Sequence, residues 1–331
     1  MREPGDVCDL SVVIPALNEA ESLPALIDEV EAACSPLGLD WELLVVDDGS
    51  TDGTAGLITD LGGARPWLRL VRLRHNVGKS TGLAVGFEWA RGRQIVTLDG
   101  DGQDDPAEIP ALLARLDAGA DLVSGWKVER NDPAGKRGAS RVFNRVTARA
   151  SGLPLHDFNC GLKAYRAECA RSIELHGERH RFIPLLAVQR GWRVAEVPVH
   201  HRPRVHGRSR YGSERYLRGM LDLVTVLFLG RYQYRPMHLF GGIGIATVFV
   251  GLIACAYLTV VKLGGEAIGH RPLLLFGVLC IVVGIQLLSL GLVGEMIAAG
   301  REDTRRRSGA ALDVERVVVG GTTVQGESFG G

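Results

Sequence analysis

The chain has 331 residues, enough for one large domain or two modest ones with a sizeable core. Lysine plus arginine and aspartate plus glutamate balance at 38 each, so no net field points to nucleic acid as a partner. Six cysteines (Cys8, Cys34, Cys160, Cys169, Cys255, Cys280) form no C-x-x-C pair, which reads as reduced structural thiols and no zinc site.

The N-terminus, MREPGDVCDL, lacks the apolar stretch of a signal peptide, so the first half of the chain is expected to stay cytosolic. Short apolar runs then alternate with helical patterns. Leu10–Ile14, Leu43–Val46, Leu68–Leu73, Gln94–Leu98, Asp121–Gly125 and Arg193–Val197 read as strands. Glu19–Ala33, Gly53–Leu61, Gly78–Ala90, Pro106–Leu116 and Gly138–Ala150 read as helices. This alternation predicts an α/β fold: a mostly parallel sheet covered on both faces, with ligands beyond the carboxyl ends of its strands.

Polar groups gather at those ends. The first strand runs into Pro15-Ala16-Leu17-Asn18-Glu19, and the second into Asp47-Asp48-Gly49-Ser50-Thr51-Asp52-Gly53-Thr54. The third leads to His75-Asn76-Val77-Gly78-Lys79-Ser80, and the fourth ends in Asp99-Gly100-Asp101-Gly102-Gln103. The first turn is not G-x-G-x-x-G, which disfavours a dinucleotide fold. Gly78-Lys79-Ser80 is no P-loop, because the required first glycine falls on Leu73. Asp99 and Asp101, one residue apart at a strand end, suit a hard divalent cation such as Mg²⁺ or Mn²⁺.

Farther along, Asp157-Phe158-Asn159-Cys160-Gly161-Leu162-Lys163-Ala164-Tyr165 follows a basic helix in which Arg137, Arg141 and Arg145 recur every four residues. His201–Gly212 holds Arg202, Arg204, Arg208 and Arg210 with Ser209, a loop able to fork onto phosphates. Tyr216–Leu229 reads as an amphipathic interfacial helix. Leu239–Val261 and Leu273–Gly294 are apolar runs, the second with Gln286 as its strongly polar side chain. Each would span about 33 Å as a helix, matching a bilayer core of about 30 Å. Arg231 and Arg235 precede the first run and Arg301, Arg305, Arg306 and Arg307 follow the second. The connecting loop has Lys262 and Arg271, so both termini are expected in the cytoplasm. The resulting division is a cytosolic domain over 1–212, an interfacial helix over 213–235, a membrane hairpin over 236–300 and a disordered, Gly-rich tail over 301–331.

IPALNE, VVDDGSTDGT, HNVGKSTGL and DGDGQDDPAEIP, in this order, resemble the successive motifs of glycosyltransferase family 2, on the nucleotide-diphospho-sugar transferase (GT-A) fold. The resemblance covers about residues 10–212 and is nearest to the dolichol-phosphate mannose synthase and polyprenyl-phosphate glycosyltransferase branch. It implies that Pro15, Asn18, Glu19, Asp47, Asp48, Asn76, Lys79 and Asp99 bind the nucleotide, and that Asp99, Asp101 and Gln103 surround the metal. It implies that Asp157, Asp101, Arg202 and Arg204 serve catalysis, with Arg141, Arg208 and Ser209 at an acceptor phosphate. Asp157 is either a general base or an orienting group. Gln189-Arg190-Gly191-Trp192 lacks the Q-x-x-R-W spacing of processive synthases, which favours transfer of one sugar.

The expected donor is a UDP-hexose such as UDP-glucose, or GDP-mannose, and the expected acceptor is polyprenyl (undecaprenyl) phosphate among membrane lipids. Two alternatives stay open: a sugar hydroxyl on a glycolipid as acceptor, and a non-catalytic sugar-nucleotide-binding subunit. A homo-oligomer is also open.

Overall fold

The computed structural model describes residues 7–128, 144, 147–149, 152–175, 177–202, 225, 236–265, 272–307, 314–319 and 322–325. The chain divides into two compact units, one of residues 1–227 with 312–331 and the other of residues 228–311.

The first unit is built on strands β1 (Leu10–Ala16), β2 (Trp41–Asp47), β3 (Leu68–Leu73), β4 (Gln94–Thr97), β5 (Leu122–Lys127), β6 (Lys163–Arg166), β7 (Val194–Val199), β8 (Val314–Val319) and β9 (Thr322–Gln325). Their order in the sheet is β7-β5-β6-β4-β1-β2-β3-β8-β9. The pairs β4–β1, β1–β2, β2–β3 and β5–β7 are parallel, and β6, β8 and β9 run antiparallel to their neighbours.

Every β1 side chain from Leu10 to Ile14 is buried, as a strand covered on both faces requires. Leu10, Val12 and Ile14 pack in one core with Leu23, Leu26, Ile27 and Val30 of α1 (Leu23–Cys34) and Leu112 and Leu116 of α4 (Ile109–Asp117). Ile58 of α2 (Thr54–Gly62) joins the same core. Val13, which points the other way, packs with Leu83, Val85 and Phe87 of α3 (Lys79–Trp89) and with α5 (Ala167–Ser172) and α6 (Ile183–Gln189). The result is a helix–sheet–helix sandwich. Along the chain the sheet grows from β1 through β2 to β3, then reverses to place β4 on the opposite side of β1. The switch point therefore lies between the carboxyl ends of β1 and β4, where open α/β sheets bind ligands.

Several expected boundaries shift for local reasons. Helix α1 begins at Leu23, not Glu19, because Asn18 adopts a left-handed φ of 56° and the chain wraps around the cleft first. Strand β6 lies in the stretch that carried a polar motif and no strand expectation. The tail is not disordered over its whole length. Its Val314–Val319 segment pairs antiparallel to β3, with Arg69 opposite Val319, and Thr322–Gln325 pairs onto it. The β-branched run VERVVV, set against the unpaired edge of β3, outweighs the glycines that flank it.

The second unit consists of α7 (Pro236–Leu263) and α8 (Pro272–Arg307). Pro236–Leu263 and Pro272–Ile297 are long and apolar enough to cross a membrane. Helix α8 continues to Arg307, past the expected boundary at 300. The two helices meet along glycines spaced by seven: Gly244 and Gly251 on α7, Gly277 and Gly284 on α8. A β-carbon at Gly244 would lie 2.8 Å from the Gly284 carbonyl oxygen, so the two backbones touch.

Candidate active site

The loops after β1 and β2 are laced together by side-chain to backbone bonds. Asn18 N–H donates to Ser50 Oγ at 2.8 Å, and Asn18 Oδ1 accepts from Thr51 N–H at 2.8 Å. Glu19 N–H donates to Thr54 Oγ1 at 3.2 Å, while Asp52 accepts from Ala20 N–H and from Thr54. Ser22, which precedes α1, does not cap it. Its hydroxyl donates to the Gly100 carbonyl at 2.7 Å and so ties the β1 loop to the β4 loop. Pro15 and Glu19 stand against that loop, where a β-carbon at Gly100 would lie 3.4 Å from the Pro15 carbonyl oxygen and 3.5 Å from Glu19 Cγ.

Asp47 and Asp48, expected at the nucleotide, also hold the loops around the cleft. Asp47 is completely buried; its Oδ1 accepts from Ser50 N–H at 2.9 Å and its Oδ2 lies 3.5 Å from Arg72. Asp48, nearly buried, accepts from Val77 N–H at 2.8 Å and Gly78 N–H at 2.9 Å, and so fixes the turn that starts α3. Burial, opposed by those two bonds, leaves its carboxyl above the ordinary carboxylate value. Gly49, at a φ of 73°, lets the 75–76 backbone pass; a β-carbon there would sit 2.7 Å from the His75 carbonyl carbon. Asn76 is exposed on that passing segment.

Asp99 stands at the end of β4 amid three lysines. Lys79, the first residue of α3, holds it at 2.5 Å. Lys127, at the end of β5, pairs with Asp104 at 3.0 Å, and Asp104 Oδ2 also accepts from Asp99 N–H at 3.3 Å. Lys163, at the start of β6, is buried and donates to the Cys160 carbonyl. Burial pushes the Asp99 carboxyl up, but Lys79, Lys127 and Lys163 outweigh it and hold the group well below the usual carboxylate range. Gly161 makes this crowding possible, since its β-carbon would fall 2.5 Å from Asp99 Cγ and 2.6 Å from Asp104 Oδ2. His180 closes the cavity between Lys79 and Lys163, with its Nδ1 3.0 Å from Ser80 Oγ. Burial, with Lys79 and Arg181 beside it, keeps that ring neutral, its pKa well below the ordinary histidine value.

Asp101 accepts from Gln103 N–H at 3.2 Å, and the Gln103 amide nitrogen donates to the Arg202 carbonyl at 3.4 Å. Arg202, expected to serve catalysis, is held by two carboxylates. Its guanidinium is engaged by Glu29 at 2.6 Å and Asp105 at 2.8 Å. It fastens the end of the 200–202 segment to the Asp99–Asp105 loop. Asp157 is buried. Its Oδ1 accepts from Asn159 N–H at 3.0 Å, and Glu196 of β7 accepts from both the Asp157 and His156 amides. The His156 ring stacks on Trp126 at 4.1 Å between centroids. Arg141, Arg204, Arg208, Ser209 and nearly all of the expected interfacial helix lie outside the described residues.

Among the described residues no three His, Cys, Asp or Glu side chains group as a metal cage. Asp99 and Asp101 nonetheless fit a Mg²⁺-type site, in which one or two carboxylates are completed by substrate phosphates and water. Asp104 is committed to Lys127. Asp104, Lys127, Gly161, Lys163 and His180 were missing from the sequence-based site. Gly161 and Lys163 flank Leu162 in the motif that also holds Asp157, and that adjacency was the available signal.

A family model described as glycosyl transferase family 2 matches residues 11–173. Over 314 residues the chain is 39% identical to the dodecaprenyl-phosphate galacturonate synthase of Rhizobium johnstonii, covering 90% of each chain. It is 37% identical over 313 residues to the undecaprenyl-phosphate 4-deoxy-4-formamido-L-arabinose transferase of Pseudomonas aeruginosa, covering 93% of this chain and 90% of the relative. Among solved structures, the glucosyl-3-phosphoglycerate synthase of Mycobacterium tuberculosis, in complex with Mn²⁺, UDP and phosphoglyceric acid, superposes with a TM-score of 0.53 at 23% identity. The match covers 67% of this chain and 78% of that one. This likeness is one of fold, the GT-A architecture.

Proposed function

The chain belongs to glycosyltransferase family 2, and from that premise we propose that it transfers one sugar from a nucleotide diphosphate donor to polyprenyl phosphate at the cytoplasmic membrane face. The observation that carries this reading is the meeting of Asp99 and Asp101 with the β1 and α3 loops at the switch point of the sheet. Relatives that match along nine-tenths of the chain are named for polyprenyl-phosphate acceptors, and two membrane-length helices follow the site in sequence.

In the reaction, an oxygen of the lipid phosphate bonds to the anomeric carbon while the bond from that carbon to the donor diphosphate breaks. The electron pair departs with the nucleoside diphosphate and the configuration inverts. Asp99 and Asp101 would hold a Mg²⁺ or Mn²⁺ ion, which supplies charge neutralisation for the leaving diphosphate. Lys79 adds a cation on the same side. The acceptor phosphate, with a second pKa near 6, is ionised without help at neutral pH. Asp157, buried and bonded to Asn159 N–H, therefore serves to shape the acceptor-side turn and not to remove a proton. Asp157→Asn should slow turnover without abolishing it; complete loss would favour a sugar hydroxyl as acceptor.

For the donor, the 39% identical relative is named for galacturonate, and that name supports a uronic acid as the transferred sugar. UDP-galacturonate is the donor we put first, ahead of UDP-glucose and GDP-mannose. The test is a donor screen of purified protein with Mg²⁺ or Mn²⁺ and undecaprenyl phosphate, reading the lipid product by mass spectrometry. Product with no nucleotide sugar of a panel that also holds activated 4-deoxy-4-formamido-L-arabinose would overturn the proposed reaction, and product with UDP-glucose or GDP-mannose but not UDP-galacturonate would overturn the donor assignment.

A further inference from the structure

Three ammonium groups surround Asp99, but they are not equally free to leave it. Lys163 is 3% exposed and held by the Cys160 carbonyl, and the Lys127 side chain is 13% exposed and bound to Asp104. Moving either would strand a buried charge, which is costly. The Lys79 side chain is 34% exposed and stands at the first position of α3, where the turn is fixed by Asp48 through backbone bonds and not by the lysine itself. Its ammonium lies 2.5 Å from Asp99 Oδ1. A dication held by the same carboxylate would share it with the ammonium and be repelled by that nearby like charge. Occupancy of Asp99 by Lys79 and by metal is therefore competitive. A diphosphate arriving at the same strand ends offers the ammonium a second anionic partner within reach of its flexible four-carbon stem.

We propose that Lys79 is a resident counter-cation that disfavours metal binding at Asp99 until a nucleotide diphosphate draws its ammonium away, so that metal and donor load together. This rests on the reading of Asp99 and Asp101 as metal ligands, and the experiment separates the two.

The full-length chain in detergent micelles is titrated with Mn²⁺ and free metal is read by electron paramagnetic resonance, with and without UDP, against a UDP blank. The proteins are wild type, Lys79→Met, Lys79→Arg and Asp99→Asn. In the wild type, UDP should tighten Mn²⁺ binding by about tenfold or more. Without UDP, Lys79→Met should bind Mn²⁺ about tenfold tighter than wild type, the order expected for removing one screened charge a few ångströms away. Lys79→Arg, which keeps the cation, should stay near wild type. If Lys79→Met gains no affinity without UDP while Asp99→Asn still abolishes binding, the counter-cation proposal fails and the metal site stands. If Lys79→Arg gains as much affinity as Lys79→Met, loss of charge is not the cause and the proposal again fails. If Asp99→Asn leaves Mn²⁺ binding unchanged, the metal reading itself falls. Circular dichroism spectra of the variants matching wild type guard against misfolding, and Lys79→Gln replaces Lys79→Met if the latter does not fold.

Discussion

Gly161 sets how closely the backbone can approach two carboxylates. A β-carbon added there would press on Asp99 Cγ at 2.5 Å and Asp104 Oδ2 at 2.6 Å. Both atoms are ends of short side chains already held by lysines, so the carboxylates would have to give way and the backbone would not. Gly161→Ala should therefore cut kcat by about a hundredfold, as misplacement near 1 Å does in other active sites, and lower the melting temperature, because Asp104 is pressed away from its buried partner Lys127. Equal kcat would show that Asp99 need not stand where it does.

Glu42 makes the opposite case, a buried carboxylate that serves folding alone. It accepts from Ser11 Oγ at 2.6 Å, Arg69 at 2.5 Å and Arg91 at 2.8 Å. Burial pushes its pKa up, but Arg69, Ser11 and Arg91 outweigh this and hold it below the ordinary 4.5. A depressed folded-state pKa contributes stability that is fully present above the unfolded value and is lost as pH falls through the folded one. Thermal melts should show this loss below about pH 4.5. Glu42→Gln should flatten that acid limb and cost about 3 kcal/mol at pH 7, because Arg69 is left buried without its charge partner.

At the scale of elements, the glycines of α7 and α8 are as demanding as Gly161. A β-carbon at Gly284 would lie 2.7 Å from the Gly244 carbonyl oxygen and 2.8 Å from Val248 N, both backbone atoms that cannot rotate away. Gly284→Leu should force the helices apart and lower the temperature at which the detergent-solubilised protein aggregates. Gly242→Leu, on the same hairpin with nothing within 4 Å, should leave it unchanged. A matching drop in both would mean that the seam is not what holds the pair.

The sequence read well wherever one local pattern decided the outcome. The strands β1 to β4 are apolar runs bounded by turn residues, and the polar motifs at their ends come together as strand–helix alternation requires. The misses come from partners distant in sequence. Strand β6 is short and half polar, and it is a strand because β4 and β5 flank it. The strand β8 depends on the edge of β3, more than two hundred residues earlier. The ion pairs of Arg202 with Glu29 and Asp105 were not legible, because both carboxylates are far away in the chain. The burial of Asp47 beside Arg72 is likewise something that nothing local in the sequence reveals.

For the whole molecule, the arrangement across a membrane follows from charge. Arg231 and Arg235 stand before α7, and Arg301, Arg305, Arg306 and Arg307 stand after the apolar part of α8. Only Lys262 and Arg271 border the turn between the helices. Positively charged flanks are retained in the cytoplasm, so the ends of the hairpin should face inward and the turn at Gly264-Gly265 outward. Strand β8 adds a second constraint. It follows α8 in the chain and pairs with β3, which precedes α7, so the segments before and after the hairpin belong to one folded unit. With both helices crossing a bilayer, those segments are expected on one side of it, as an even number of crossings provides. In a background lacking the six native cysteines, Gly265→Cys should react with a membrane-impermeant maleimide in intact cells. Glu21→Cys, at an exposed position in the first unit, should react only after the membrane is opened. Labelling of Glu21→Cys from outside would reverse the orientation and place the nucleotide-sugar cleft away from the cytosolic supply of activated sugars that the proposed reaction requires.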